Sequence, residues 1–157
     1  MIVPDKVLPM IKATCKRQAL RQISEAAAKL YDGCNRQLLD ALLERENIGS
    51  TGIGNGVAIP HVRLSGIQRM YGVFVALETP INYDSYDSKP VDLIYLLLAP
   101  DATQDNSHLQ ELSRVSRFMR DAKVCAKLRE INQVGVRPKS DMHSVVSYWN
   151  DEIKAEA

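Results

Sequence analysis

The sequence predicts an α/β layered domain built on a mixed sheet. Stretches with helical spacing of apolar residues interleave along the chain with stretches of strand character. One strand stretch, Val91 to Leu98, is almost continuously apolar, as expected of a central strand covered on both faces. The 157 residues show no internal repeat, low-complexity segment or linker-like run, so a single domain spanning 1–157 is expected.

The elements follow in order. Val7 to Ile11 is short and apolar, an edge strand. Thr14 is placed to cap a helix in which Ala19, Leu20, Ile23, Ala27 and Leu30 share one face. Arg17, Arg21, Glu25 and Lys29 form its solvated side, and Gly33 is a stop signal. Asn35 caps a second helix, buried along Leu38, Leu39, Leu42 and Leu43, which ends near Arg45, Glu46 and Asn47 with Gly49 just beyond. Arg45 at that C-terminus complements the helix dipole and is free to face an anion. Val57 to Ile59 reads as a short strand delivering His61. Met70 to Leu77 alternates as a strand, ended by Thr79 and Pro80. Ile81 to Pro90 is a long polar turn region before the apolar Val91–Leu98 strand. Asp101 to Ser107 is a polar loop, and Ser107 caps a helix with Leu109, Leu112, Val115, Phe118 and Met119 inside. After a break near Asp121, Val124, Cys125, Leu128 and Ile131 continue the helical pattern. Gly135 and Pro138 mark a loop, and Asp141 caps a last helix with Val145, Val146 and Trp149.

Composition narrows the function. Hydrophobic residues make up 45% and charged residues 25%, and the net charge is +1. That balance offers no electrostatic case for nucleic acid or an anionic membrane. No apolar run approaches the ~20 residues of a membrane span, and MIVPDKVLPM lacks the apolar core of a signal peptide. The three cysteines, Cys15, Cys34 and Cys125, are too scattered for a metal-ligand pair or a disulfide framework. A reducing cytoplasm is the expected setting.

Chemistry concentrates in Arg45 to Leu64, RENIGSTGIGNGVAIPHVRL. Its glycines (Gly49, Gly52, Gly54 and Gly56) describe a tight, shaped loop, and Pro60 stiffens the backbone just before His61. The loop is no Walker A motif, because Asn55 and Gly56 follow Gly54 where lysine and a hydroxyl residue belong. Nor is it a dinucleotide loop, since Ile59 stands at the third glycine position. Its backbone N–H groups and the hydroxyls of Ser50 and Thr51 suit an anion-binding nest. His61 has two readings on pattern alone: a packing histidine at a strand end, or a nucleophile that takes a phosphoryl group. His108 opens a helix, where an added positive charge is disfavoured; it is either an exposed helix-start residue or a donor to a bound group. His143 reads as a surface residue. No carboxylate or cysteine stands at metal-ligand spacing from His61 or His108, so no metal is indicated. Ser65 and Asp92 could be drawn into a triad with His61, but no G-x-S-x-G elbow exists.

Three separated blocks carry a resemblance: GSTGIGNGVAIPH, GVFVALETPINYDSYDSKPVDLIYLLLAP and HLQELSRVSRFMRD. In this order they resemble the enzyme IIA domains of the bacterial phosphotransferase system, fructose–mannitol class, and within it the nitrogen-regulatory branch. The resemblance runs from about Val7 to the last helix. It implies a three-layer α/β/α domain with a mixed sheet of four or five strands and helices on both faces. It implies that His61 is the phosphorylated histidine, with Arg45 and His108 stabilising the phosphoryl group, and no cofactor. An HPr-like phosphocarrier is the implied donor. Sensor kinases or potassium transport systems are the implied regulatory targets. With no fused transporter domain in view, a free-standing regulator is expected. Two positions depart from the pattern. Val62 stands where relatives carry glycine, a place that would strain valine if it needed a positive φ, or add bulk if it met a partner. Ser88 stands in a turn where relatives often carry glycine or asparagine. Val62 motivates a second reading, a binding module impaired in phosphoryl transfer. A third is a sugar-specific IIA component feeding a IIB domain.

Overall fold

A computed structural model describes residues 3–101, 106–133 and 138–156. In chain order the elements are β1 (Lys6–Ile11), α1 (Lys16–Ala28), α2 (Asn35–Ile48), β2 (Gly52–Gly54), β3 (Val57–Ala58), β4 (His61–Leu64), β5 (Tyr71–Ile81), β6 (Val91–Pro100), α3 (Ser107–Arg120), α4 (Ala122–Gln133) and α5 (Pro138–Glu156).

The two strands richest in apolar residues form the centre of the sheet. β5 and β6 pair antiparallel, Val73 opposite Leu96 and Val75 opposite Ile94. β1 joins the free side of β5 in parallel and is an edge, as its short length and Pro9 suggest. On the other side of β6 lie β3 and β4, both parallel to it. Val57 sits opposite Leu93 and His61 opposite Leu97, so β3 and β4 share one register on β6. They are one line of chain, interrupted at Ile59–Pro60, where proline has no N–H for the ladder. β2 folds back antiparallel on β3 and completes the order β1-β5-β6-β3-β2.

Strand alternation sends side chains to two cores. Val73, Val75, Ile94, Leu96 and Leu98 face α1 and α2, packing on Leu20, Ile23, Leu38 and Leu42. Phe74, Ala76, Leu93, Tyr95 and Leu97 face the opposite helices and meet Val115, Phe118, Leu128 and Trp149. Helices therefore cover both faces of a mixed sheet, the layered α/β arrangement read from the sequence.

Several boundaries move by a few residues. The cap residues of α1 and α2 are Cys15 and Cys34, so Asn35 becomes the first helical residue. Thr14 lies one position outside α1, where its N–H and hydroxyl both donate to Gln18 Oε1, at 2.6 and 3.0 Å. α1 ends at Ala28, before Gly33, which donates its N–H back to the Ala28 carbonyl. β5 continues past Thr79 and Pro80 to Ile81, because a register shift between Ala76 and Ile81 loosens the ladder where proline stands. Leu109 is 52% exposed instead of inside; the buried positions of α3 are Glu111, Val115, Phe118 and Met119. α5 opens at Pro138, three residues before Asp141, and proline suits a first helical position. Gly135 and the side chains of Asp141 and His143 lie outside the described residues.

Candidate functional site

His61 opens β4 and is half-buried. Its Nδ1 lies 2.8 Å from the carbonyl oxygen of Ile59. A carbonyl can only accept, so Nδ1 carries the proton and Nε2 the lone pair. Burial lowers the imidazole pKa below its usual 6.5, and the charges of Arg45 and His108 lower it further. The Ile59 carbonyl and Glu46 pull the other way. Burial wins, so the ring is neutral near neutral pH.

The three residues singled out from the sequence converge. Arg45 lies in the last turn of α2, and its Nη1 donates to the Gly49 carbonyl at 2.9 Å. His108 is the second residue of α3, and its Nδ1 is buried with no hydrogen-bond partner among the described residues. Their charges are felt at the His61 ring from two different helices. The exposed apolar side chains of Ile48 and Leu109 stand three residues after Arg45 and one after His108, 82% and 52% exposed.

The glycine loop departs from the nest read from its composition. Thr51 donates its N–H to Glu46 Oε2 at 3.1 Å and its hydroxyl to Glu46 Oε1. The Ser50 hydroxyl donates to the Tyr83 carbonyl at 2.8 Å, and Asn55 N–H donates to Asp87 Oδ2 at 2.9 Å. These groups are satisfied by the protein's own carboxylates and carbonyl. That N–H of Asn55 is the first cause holding the Asp87 carboxyl below the usual range. Gly54 and Gly56 take positive φ, +95° and +83°. The positive φ of Gly56 favours glycine, and a Cβ there would also press on Arg129 Nη2 at 2.6 Å and disturb its pairing with Asp92.

Sequence reasoning missed what holds this loop. Glu46, only 8% exposed, also accepts from Tyr83 Oη at 3.1 Å and pairs with Lys16 Nζ at 2.6 Å. Arg129 grips Asp92 through Nε and Nη2, at 2.9 and 2.8 Å, and donates to the Asn55 carbonyl at 3.1 Å. Asp92 is thus engaged by an arginine from α4. It stands five residues along β6 from Leu97, the partner of His61, roughly 16 Å away. An open cleft of about 540 Å³ borders Asn55, Asp92 and Arg129, and His61 is not among its lining residues. Among the described residues no group of three His, Cys, Asp or Glu side chains is disposed to hold a metal, and no helix is long and apolar enough to cross a membrane.

The two departures noted in the sequence differ in backbone conformation. Val62 is not among the residues of positive φ, and it packs against the core beneath α1 and α2. Ser88 does take the left-handed conformation, at φ 60°.

Comparison with known proteins gives a consistent set. The family described as phosphoenolpyruvate-dependent sugar phosphotransferase system, EIIA 2, matches residues 1–135. A nitrogen regulatory protein of Bradyrhizobium diazoefficiens is 40% identical over 129 residues, 82% of this chain and 84% of that protein. A nitrogen regulatory protein of Escherichia coli K12 is 49% identical over 115 residues, 73% of this chain and 70% of that one. The crystal structure of nitrogen regulatory protein IIA-Ntr from Neisseria meningitidis superposes with a TM-score of 0.74 at 27% identity, covering 90% of this chain and 92% of that one.

Proposed function

The chain belongs to the type-2 EIIA family of the phosphoenolpyruvate-dependent sugar phosphotransferase system, and from that premise we propose that it is a phosphoryl carrier whose acceptor is Nε2 of His61. One observation carries the reading. The Ile59 carbonyl holds Nδ1–H, and a half-buried neutral ring keeps the Nε2 lone pair available without an external base.

The step balances simply. The Nε2 lone pair forms a bond to phosphorus while the donor's nitrogen–phosphorus bond breaks. The donor ring keeps that electron pair and leaves as a neutral imidazole. His61 retains its Nδ1 proton, and the positive charge growing on its ring is met by the Ile59 carbonyl. Arg45 and His108 face the anionic oxygens: the guanidinium supplies charge, and the imidazole a further hydrogen bond.

The donor in this reading is an HPr-like phosphocarrier protein. The exposed Ile48 and Leu109 beside the site suit a protein partner, because large apolar side chains bare to water gain by being covered. The chain works in the cytoplasm as a single type-2 domain. The names of its relatives favour a regulatory role over sugar-specific transfer to a IIB domain. Phosphorylation adds charge and acceptor oxygens at one surface point and so changes which targets bind, with a sensor kinase or a potassium transport system as the targets in view. The absence of a positive φ at Val62 and its partial packing on the core favour the carrier over a module impaired in transfer.

The experiment is intact mass after incubation with phosphoenolpyruvate, the first phosphotransferase enzyme and an HPr-like carrier. The expected result is an acid-labile gain of one phosphoryl group, absent in His61→Ala and retained in Val62→Gly. A wild-type protein that stays unmodified while Val62→Gly is phosphorylated would overturn the reading in favour of the binding module.

A further inference from the structure

A buried carboxylate stands one residue from Arg45 and serves no step in the transfer. Glu46 is 8% exposed and closes the last turn of α2 on its inner side. It accepts from four groups: the Thr51 N–H, the Thr51 hydroxyl, the Tyr83 phenol and the Lys16 ammonium. Lys16 also lies over the Tyr83 ring, 4.6 Å from its centroid. Thr51 is the residue these contacts immobilise, and it is 5% exposed. Its own carbonyl accepts the Ile59 N–H at 2.9 Å. The Ile59 carbonyl in turn accepts Nδ1–H of His61 at 2.8 Å. From the carboxylate to the imidazole the path therefore runs through the backbone of two residues, with no rotatable side chain between.

We propose that Glu46 is a positioning residue for His61: by clamping Thr51 it aims the Ile59 carbonyl that selects the Nδ1–H tautomer and leaves Nε2 free. The consequence for phosphoryl transfer rests on the carrier reading above; the effect on the ring does not.

Stability alone is a weak account of this carboxylate. Buried ion pairs are often replaced by apolar side chains of equal volume at no cost. An apolar residue cannot accept both the N–H and the hydroxyl of one threonine, and an amide has one acceptor oxygen where the carboxylate has two. Only the carboxylate holds Thr51 at once by its N–H and by its hydroxyl, one on each oxygen. Loss of that hold lets Thr51 shift, and with it Ile59, whose N–H the Thr51 carbonyl accepts, so the imidazole can lose the Ile59 carbonyl that distinguishes its two nitrogens.

The test uses the full chain, labelled with 15N, as wild type, Glu46→Gln, Thr51→Val and Thr51→Ser. Ring 15N shifts of His61 report the tautomer before any phosphorylation. The rate of phosphoryl uptake from the HPr-like carrier is measured alongside. Wild type and Thr51→Ser are expected to show one Nδ1–H tautomer. Glu46→Gln should show a mixture and a rate lower by roughly tenfold, with Thr51→Val shifted in the same direction by less. A folded Glu46→Gln with the wild-type tautomer overturns the proposal. If Glu46→Gln fails to fold, the tautomer of Thr51→Val against Thr51→Ser decides in its place. A wild type that accepts no phosphoryl group would overturn the carrier reading, while the ring shifts would still judge the role of Glu46.

Discussion

Burial and a backbone carbonyl act on the His61 ring in opposite senses. Burial disfavours the charged ring and dominates, while the Ile59 carbonyl favours it. The folded ring therefore takes up its proton at lower pH than the unfolded ring, whose usual value is 6.5. Stability contributed by the neutral ring is intact above that value and is lost as pH falls through the lower, folded one. An NMR titration should place the His61 midpoint below 6.5. Denaturation midpoints should fall more steeply on acidification in the wild type than in His61→Gln. A midpoint at or above the usual value would remove the argument for a neutral nucleophile. Ser88 makes a second prediction at this scale. A non-glycine residue held at φ 60° is strained, and Ser88→Gly should gain about 0.5–1 kcal/mol, read by urea denaturation. The hazard of that position was flagged by the family resemblance, because similar proteins often carry glycine or asparagine in that turn, residues that tolerate the left-handed conformation. The conformation of Val62 was not visible, because only its place in β4, paired with Leu98 of β6, shows that its backbone needs no positive φ.

The β2–β3 hairpin carries the site at the next scale. Its glycines look alike in the sequence and differ in the fold. Gly56 has φ +83° and faces the Arg129–Asp92 pair, whereas Gly49 has φ 170° and open space around its Cβ position. Gly56→Ala should cost about 1–3 kcal/mol and loosen the turn, while Gly49→Ala should stay within about 0.5 kcal/mol of wild type. Equal losses in thermal or denaturant unfolding would show that composition, and not conformation, sets the requirement. Pro60 breaks the ladder between β3 and β4, which a sequence reading can anticipate. That the chain then resumes the same register on β6, with His61 opposite Leu97, depends on β6.

The whole molecule is two cores separated by one sheet. On one face Trp149 from α5 is fully buried, with its ring 4.4 Å from Phe118, 5.3 Å from Tyr95 and 5.9 Å from Phe74, centroid to centroid. This one side chain ties α5 to α3 and both central strands. Trp149→Ala should destabilise by about 3–5 kcal/mol, seen as a lower denaturation midpoint with little change in slope. Phosphoryl uptake at low temperature should persist, because His61 is supported from Thr51 and Ile59 and not from α5. Loss of uptake in a folded Trp149→Ala would show that the two ends of the fold are coupled.

The sequence alone determined the layered class and the positions of the main helices and strands, while Arg45, His61 and His108 were singled out by their resemblance to a family pattern. Periodicity reports which face of an element is apolar, and punctuation by Gly and Pro reports where elements stop. Both are local properties. The tertiary structure decided which polar residues turn inward. Glu46 reads in sequence as one more polar residue at a helix end, beside Arg45 and Asn47. Its burial depends on Thr51, Tyr83 and Lys16 meeting it from three other segments. Asp92 likewise becomes the partner of Arg129 only when α4 lies across the start of β6. A buried charge is stabilised by donors distant in the chain, and no local pattern records where those donors come from.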